Sequence, residues 1–281
     1  MKEKFYKFNT GPVLVFLSGV CFALGGLCIK YIPWNPLAIN SARNILSAIV
    51  LGLFMLAIKH KLVINKHVIL SAIAIATTTG LYCFANKLTT AGNAIILQFT
   101  APIWVMFFSV LFLKVHPKSL DIIAAVCVFV GVILFFIDGI SAGNMLGNIL
   151  ALLSGITYVG VFTSGSFEDS DTLSATFLGI LINVLVGLPF LLKEDLGAAS
   201  QTTWIALLVL GIVQQGCSYI FLSLGLKTTP AIPASLISGI EPVLNPILVA
   251  VFYGEHLTPL ALVGAAIVLV SIVGYNVIKC K

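Results

Sequence analysis

Long apolar segments separated by short polar connections run along the whole chain. A helix that crosses a membrane needs about 20 apolar residues, and ten segments reach or approach that length. The predicted spans are 13–28, 36–58, 68–85, 91–113, 119–137, 145–163, 172–192, 202–224, 231–253 and 259–278. Their connections, such as LTTAGN and DGISAGN, carry turn-forming residues. Because lipid cannot satisfy backbone polar groups, the pattern predicts an all-α polytopic membrane protein.

The composition agrees with this prediction. The chain is 59% hydrophobic and 9% charged, whereas a soluble domain carries about 25% charged residues. The net charge of +5 is therefore not a nucleic-acid signal, and we expect no nucleic-acid partner. The six cysteines form no CxxC pair, and we interpret them as small apolar residues of the interior. We predict no cofactor and no metal site.

The lysines indicate how the spans are oriented. With the N-terminus in the cytoplasm, 11 lysines fall on the inner side and 3 on the outer side, which agrees with the positive-inside rule. The outer three are Lys30, Lys87 and Lys193. We therefore predict a multi-pass protein of the cytoplasmic (inner) membrane with both termini in the cytoplasm.

The two halves of the chain resemble each other. A shift of 140 positions places Pro102 on Pro242 and His116 on His256, and a shift of 136 aligns residues 11–19 with 147–155 at several positions. We predict two repeats of five spans each, 1–142 and 143–281. Because five is odd, the second repeat enters the membrane from the opposite side, which is the inverted arrangement of many secondary transporters.

The second half contains PAIPASLISGIEPVLNPILVAVFYGEHLTPLALVGAAIVLVSIVG, and the first half contains AGNAIILQFTAPIWV around Pro102. This pattern resembles the ten-helix EamA-type members of the drug/metabolite transporter superfamily. The carrying residues are Lys30, Pro36, Arg43, Pro102, Pro242, Gly254, Glu255 and Gly264. The counterpart of Glu255 in the first half is Val115, so that acidic feature occurs once. The resemblance implies a ten-helix bundle with a central cavity. It also implies export or uptake of small metabolites, including amino acids, driven by ion or substrate gradients.

The stretch SGIEPVLNP places polar residues in the middle of the ninth span. Pro242 and Pro246 each remove a backbone donor, and Pro102 holds the equivalent place in the other half. Paired helix breaks of this kind point to a transport site, although a packing kink is the alternative. Glu241 either pairs with a cation, carries a coupling proton, or bonds to backbone freed by the prolines. Asn245, one turn further on, is a candidate for the same site.

Arg43, the only arginine, lies about 10 Å along the second span by the helical rise of 1.5 Å per residue. It either holds a substrate carboxylate or ties its helix to carbonyls of a neighbour. We also predict polar cavity residues at Gln98 and at Gln214 or Gln215, because glutamines are costly to bury without partners. Further candidates are Asn86 and the stacking side chains Tyr82, Trp104 and Tyr219.

The chain lacks the sequence patterns of common catalytic sites, including a P-loop, GxSxG and HExxH. His116 and His256 lie in loops on opposite faces under the predicted topology. We therefore predict no enzyme but a secondary transporter for a small polar or zwitterionic metabolite such as an amino acid. We also expect a coupling proton or cation and contacts with membrane lipids. The protein is expected to be a monomer or a homodimer. A channel and a lipid-translocating protein are the alternatives, with a membrane enzyme as a further one.

Overall fold

The computed structural model describes residues 10–137, 144–253 and 258–279, and their regular structure is helical throughout. Spans 1–5 are Gly11–Phe22 with Gly25–Tyr31, Pro36–Ala57, Lys66–Leu88, Ala91–Gln98 with Ala101–Leu111, and Ser119–Phe136. Spans 6–10 are Met145–Phe162, Thr172–Leu191, Gln201–Gly225, Ala231–Ile237 with Ile240–Tyr253, and Pro259–Lys279. Eight of these helices are long and apolar enough to cross a membrane. The predicted all-α, ten-span fold is confirmed.

Spans 4 and 9 are each broken just before a proline. Span 4 stops at Gln98 and restarts at Ala101, so that Pro102 lies in the first turn of the new helix. Span 9 stops at Ile237 and restarts at Ile240, with Pro242 in its first turn. A first helical turn tolerates proline because its backbone N–H groups have no partner within the helix. Both prolines are therefore compatible with the helices that restart at the two breaks.

Spans 1 and 8 also depart from a regular α-helix. Span 1 is interrupted at residues 23 and 24, between two α-helical segments. Span 8 contains a π-helix, Val209–Cys217, between the α-helices Gln201–Leu208 and Ser218–Gly225. π-Helical turns are rare and are frequently found at functional sites. Gln214 and Gln215 lie within this segment.

Small residues allow neighbouring spans to approach closely. A Cβ atom added at Gly187 of span 7 would lie 2.3 Å from the carbonyl oxygen of Leu37 in span 2. One added at Gly131 of span 5 would lie 2.9 Å from the carbonyl oxygen of Gly264 in span 10. Such close approaches are typical of helix packing in membranes. Small residues there let the backbones meet, and van der Waals packing drives the association that the hydrophobic effect drives in water.

The helix pairs recur between the two halves of the chain. Spans 2 and 7 pack together, as do spans 5 and 10. Span 3, the third span of the first half, packs on span 6, the first span of the second half. Span 8, the third span of the second half, packs in the same way on span 1, the first span of the first half. The predicted boundary between the repeats, 142–143, lies outside the described residues.

Spans 2 and 7 begin with similar polar contacts at opposite ends of the bundle. Asn35 caps span 2, and its backbone N–H donates to Glu194 Oε1 at 2.8 Å. Asp171, 136 positions later in the sequence, caps span 7 and bonds to His60 Nε2 at 2.9 Å. Burial alone would raise the pKa of Asp171. Hydrogen bonds from Ser174 and His60 outweigh burial and hold that pKa below its usual range.

Candidate functional site

A small cavity lies in the middle of the bundle, among residues of spans 1, 2, 3, 4, 6, 8 and 9. Predicted site residues that line it are Arg43, Tyr82, Gln98, Gln214, Gln215, Tyr219 and Glu241. Its volume is about 30 Å³, and a water molecule needs about 10 to 15 Å³ on this measure. The cavity therefore has room for one or two water molecules. In this conformation it is too small for a metabolite.

Arg43 is almost fully buried, with 1% of its surface exposed. Its Nε and Nη2 atoms donate to Asn40 Oδ1 at 3.1 and 2.8 Å, and Nη2 also donates to the carbonyl oxygen of Thr79 at 2.9 Å. This last bond ties span 2 to span 3, which is one of the two predicted roles. Within the described residues Nη1 donates no hydrogen bond. The guanidinium group therefore anchors two spans, and its Nη1 nitrogen is left without a hydrogen-bond acceptor among the described residues.

The rest of the polar face of span 2 contacts the π-helix of span 8. Gln215 Nε2 donates to Asn44 Oδ1 at 2.5 Å. Ser47 Oγ lies 2.8 Å from the carbonyl oxygen of Gly211 and donates to it. These bonds fix the wide turn of span 8 beside Arg43, so the position of Gln215 depends on span 2.

Glu241 lies in the first turn after the break in span 9, with 8% of its surface exposed. Among the residues described here, its carboxylate makes neither a hydrogen bond nor an ion pair. The bonds to backbone freed by the prolines, one predicted alternative, are not formed by this carboxylate in the described ranges. Arg43 and Glu241 line the same cavity without forming a salt bridge. A buried carboxylate without a partner is rare, because its burial costs free energy that no contact offsets.

Two further polar atoms at this cavity have no hydrogen-bond partner. They are Tyr82 OH and Gln214 Oε1, both buried. Most buried polar atoms in proteins are hydrogen-bonded, so such atoms need an explanation. Together with Glu241 they leave the cavity with polar groups that a bound solute can satisfy.

Aromatic rings form much of the remaining wall. Phe22 and Tyr219 meet edge to face with ring centroids 5.1 Å apart, and both line the cavity. Tyr158 also lines it, and its ring centroid is 4.7 Å from that of Phe162 one turn along span 6. The wall of the cavity therefore combines aromatic rings with polar side chains.

Four residues that line the cavity were not among the predicted site residues: Phe22, Thr78, Thr79 and Tyr158. Single threonines and aromatics in membrane helices are usually packing residues, so the sequence offers no signal that separates these four. Thr79 Oγ1 accepts a hydrogen bond from Asn183 Nδ2 at 2.6 Å. This contact links span 7 to the residue whose carbonyl holds Arg43.

Asn86 and Asn245 lie near each other on either side of Gly26. A Cβ atom at Gly26 would be 3.1 Å from Asn245 Nδ2 and 3.3 Å from Asn86 Oδ1. Asn245 donates to the carbonyl oxygen of Ala23 at 2.5 Å, which lies at the interruption of span 1. This asparagine therefore ties the second helix of span 9 to the interruption of span 1. Neither asparagine lines the central cavity.

The structure also places the other predicted residues. Trp104 is half-buried and donates from Nε1 to Thr100 Oγ1 at 3.2 Å, away from the cavity wall. Pro242 lines a space of about 10 Å³ that adjoins the cavity at Gln98, Tyr158 and Glu241. Pro102 is buried at the break of span 4. Pro246 lies in the helix Ile240–Tyr253; its side chain is outside the description, as is His256.

A larger cavity of about 480 Å³ lies at the end of the bundle that holds Lys118, Lys227 and Lys279. Its volume is typical of ligand pockets, but neither Arg43 nor Glu241 lines it. The smaller cavity, whose residues lie in the middle of their spans, is therefore the candidate substrate site. Within the described part of the chain, no cluster of three His, Cys, Asp or Glu residues could hold a metal ion.

Known proteins agree with this architecture. The sequence pattern of the EamA-like transporter family matches residues 9–137 and 145–277. An uncharacterized transporter of Archaeoglobus fulgidus is 26% identical over 196 residues, which are 69% of this chain and 70% of that protein. A solved crystal structure has a TM-score of 0.82 at 16% identity, with 96% of this chain and 98% of that chain covered, which shows the fold alone. Because the family pattern matches nearly the whole chain, this protein belongs to the EamA-like transporter family.

Proposed function

We propose that the protein is a secondary transporter that carries a small polar or zwitterionic metabolite, such as an amino acid, across the cytoplasmic membrane. Arg43 faces the anionic group of the substrate. Glu241 faces its cationic group or carries the coupling proton. Tyr82, Gln98 and Gln214 set the orientation of the bound solute by hydrogen bonding.

The observation that carries this proposal is the buried carboxylate of Glu241, which shares a small central cavity with Arg43 and has no partner in the described residues. A charged group in the middle of a membrane usually faces a substrate or ion pathway. One fixed positive group and one titratable negative group in the same cavity match a zwitterion. A purely structural carboxylate would be expected to hold backbone or an arginine.

Alternating access follows from the helix breaks and the recurring helix pairs. We propose that repeats 1–142 and 143–281 are inverted and that they rock around the cavity, exposing it to each side in turn. The paired breaks of spans 4 and 9 support this proposal, because they place non-helical backbone beside the cavity in both halves.

Transport in proteoliposomes tests the proposal. Purified protein is reconstituted and loaded with an unlabelled amino acid, and uptake of the same labelled amino acid is measured over a panel of amino acids. A carrier gives transient accumulation by counterflow, whereas a channel only lets the label equilibrate. No counterflow with any polar metabolite of the panel, in protein that is shown to be folded, would contradict the proposal.

The proposed orientation has its own test. A reporter that is active only outside the cytoplasm, fused after Lys281, stays silent if both termini are cytoplasmic. The same reporter inserted between Lys193 and Glu194, in a connection on the opposite face, becomes active. Activity with the reversed pattern contradicts the orientation.

A further inference from the structure

The larger cavity is a vestibule at one end of the bundle, and it carries an excess of positive charge. Lys118, Lys227 and Lys279 all line it, together with His116 and Asp121. Asp121 is the one carboxylate among the described residues of its wall. The balance of charge therefore depends on what Asp121 already binds.

Asp121 is fully engaged by its neighbours. Its Oδ1 atom accepts from Lys279 Nζ at 2.7 Å and from Tyr275 OH at 2.5 Å. Its Oδ2 atom accepts from the backbone N–H of Lys118 at 2.7 Å. Lys279 is thus neutralised, while Lys118 and Lys227 form no ion pair with any residue in the described ranges.

Thr229 also lines the vestibule, but its hydroxyl group is buried. Its side chain is 3% exposed, and its hydroxyl group has no hydrogen-bond partner. A buried hydroxyl without a partner is unusual. The hydroxyl oxygen lies against span 1, where a Cβ atom added at Gly11 would be 2.6 Å from it. The ammonium groups of Lys118 and Lys227 are therefore the groups that face an anion in the vestibule.

The vestibule adjoins the central cavity along span 6. Phe162 lines the vestibule and Tyr158 lines the central cavity, and their ring centroids are 4.7 Å apart. One turn of span 6 therefore contributes one ring to each space.

We infer that the vestibule is a docking site for a compact organic carboxylate, held by Lys118 and Lys227 outside the central cavity. The vestibule volume of about 480 Å³ accommodates such a molecule. Like charges in a cleft with low-dielectric walls raise the local concentration of counter-ions. The identification of this carboxylate with that of the transported substrate rests on the proposed function.

Thiol labelling tests the site without transport. Thr228 is exposed in the vestibule wall, and Thr228→Cys introduces a thiol there. The full-length protein is reconstituted in phosphatidylcholine vesicles and treated with sulfonate-bearing or trimethylammonium-bearing methanethiosulfonates. Mass spectrometry of the peptide that contains position 228 gives the rate for that thiol alone. We expect the ratio of the sulfonate rate to the trimethylammonium rate to fall about tenfold when Lys118→Gln and Lys227→Gln are added.

Lys61→Gln is the control, because Lys61 is exposed and does not line the vestibule; it should leave the ratio unchanged. Succinate should slow labelling at equal ionic strength, and it should do so less in the double lysine variant. An unchanged ratio in the double variant overturns the proposal. Slower labelling with phosphatidylglycerol but not with succinate also overturns it, in favour of a lipid headgroup site. Loss of counterflow with the anion preference intact would instead count against the proposed transport function.

Discussion

Replacing Glu241 by glutamine separates a functional carboxylate from a structural one. The side chain lies in the first turn of Ile240–Tyr253 and keeps its shape in Glu241→Gln. No described residue bonds to the carboxylate, so the substitution removes no internal hydrogen bond. It removes the charge and its titration.

The structure sets the expected sizes of the two effects. An acidic residue at the centre of a membrane helix costs about 2.5 to 3.5 kcal/mol on insertion scales, and the amide avoids most of this cost. Folding stability should therefore stay the same or rise. A hydrogen bond to a charged group contributes about 1.5 to 3 kcal/mol, which corresponds to about a 10- to 100-fold loss of affinity for a cationic group. Proton-coupled uptake should fall to background.

The assay measures uptake in proteoliposomes with and without an imposed pH gradient, alongside thermal unfolding of the same preparations. Glu168→Gln is the matched control, because Glu168 is an exposed acid in the connection between spans 6 and 7. It should transport like the parent protein. If Glu241→Gln shows undiminished uptake that still responds to the gradient, the reasoning is refuted. A clear drop in its unfolding temperature would favour a structural role.

Three further substitutions test the surrounding structure. Arg43→Lys keeps the charge but loses the guanidinium hydrogen bonds to Asn40 and to the carbonyl oxygen of Thr79. The unfolding free energy should therefore fall by about 1.5 to 3 kcal/mol. Denaturant titration checks this, and unchanged stability would contradict it. Gly187→Ala brings a methyl group against the backbone of span 2 and should lower the unfolding free energy by about 1 to 3 kcal/mol. Gly274→Ala is the control, because a methyl group there would have nothing within 4 Å, and it should leave the unfolding free energy unchanged. Equal effects of the two substitutions would argue against the close packing at Gly187. Hydrogen bonding lowers the pKa of Asp171 against the effect of burial. The contribution of Asp171 to the unfolding free energy is therefore present above about pH 4, the pKa of an unfolded aspartate, and is lost as the pH falls through the lower pKa of the folded protein. The gap in unfolding temperature between the parent and Asp171→Asn should therefore narrow below pH 4, and a constant gap would refute this.

The spans and their breaks were predictable because lipid imposes simple rules. Apolar length alone identifies a membrane helix, and Pro102 and Pro242 indicated the breaks of spans 4 and 9. Proline was not a sufficient signal, because Pro189 and Pro246 lie within continuous helices. The polar residues Arg43, Gln98 and Glu241 were recognisable because each is expensive to bury. These effects depend on the residue type and hardly on its neighbours.

The partners of these residues were not predictable in the same way. Whether Arg43 binds a ligand or a carbonyl depends on how closely span 3 approaches, and the sequence carries no record of that distance. Tyr158 lines the cavity and Trp104 does not, although both are aromatic residues within apolar spans. The difference is set by the rotation of each helix about its axis, which tertiary packing decides.

The π-helix of span 8 gives this protein a way to re-aim side chains without moving whole helices. A π-helical turn contains more residues than an α-helical one. The wide turn can therefore shift by one residue along the span when one residue joins the π-helix at one end and another leaves it at the other end. Each residue that leaves the wide turn for an ordinary α-turn rotates about the axis by about 100°, the angular step of an α-helix. Migration by one position would swing Gln214 or Gln215 out of the cavity wall while the ends of Gln201–Gly225 stay where they are. The hydrogen bonds that Asn44 and Ser47 form with span 8 would then stabilise one position of the wide turn.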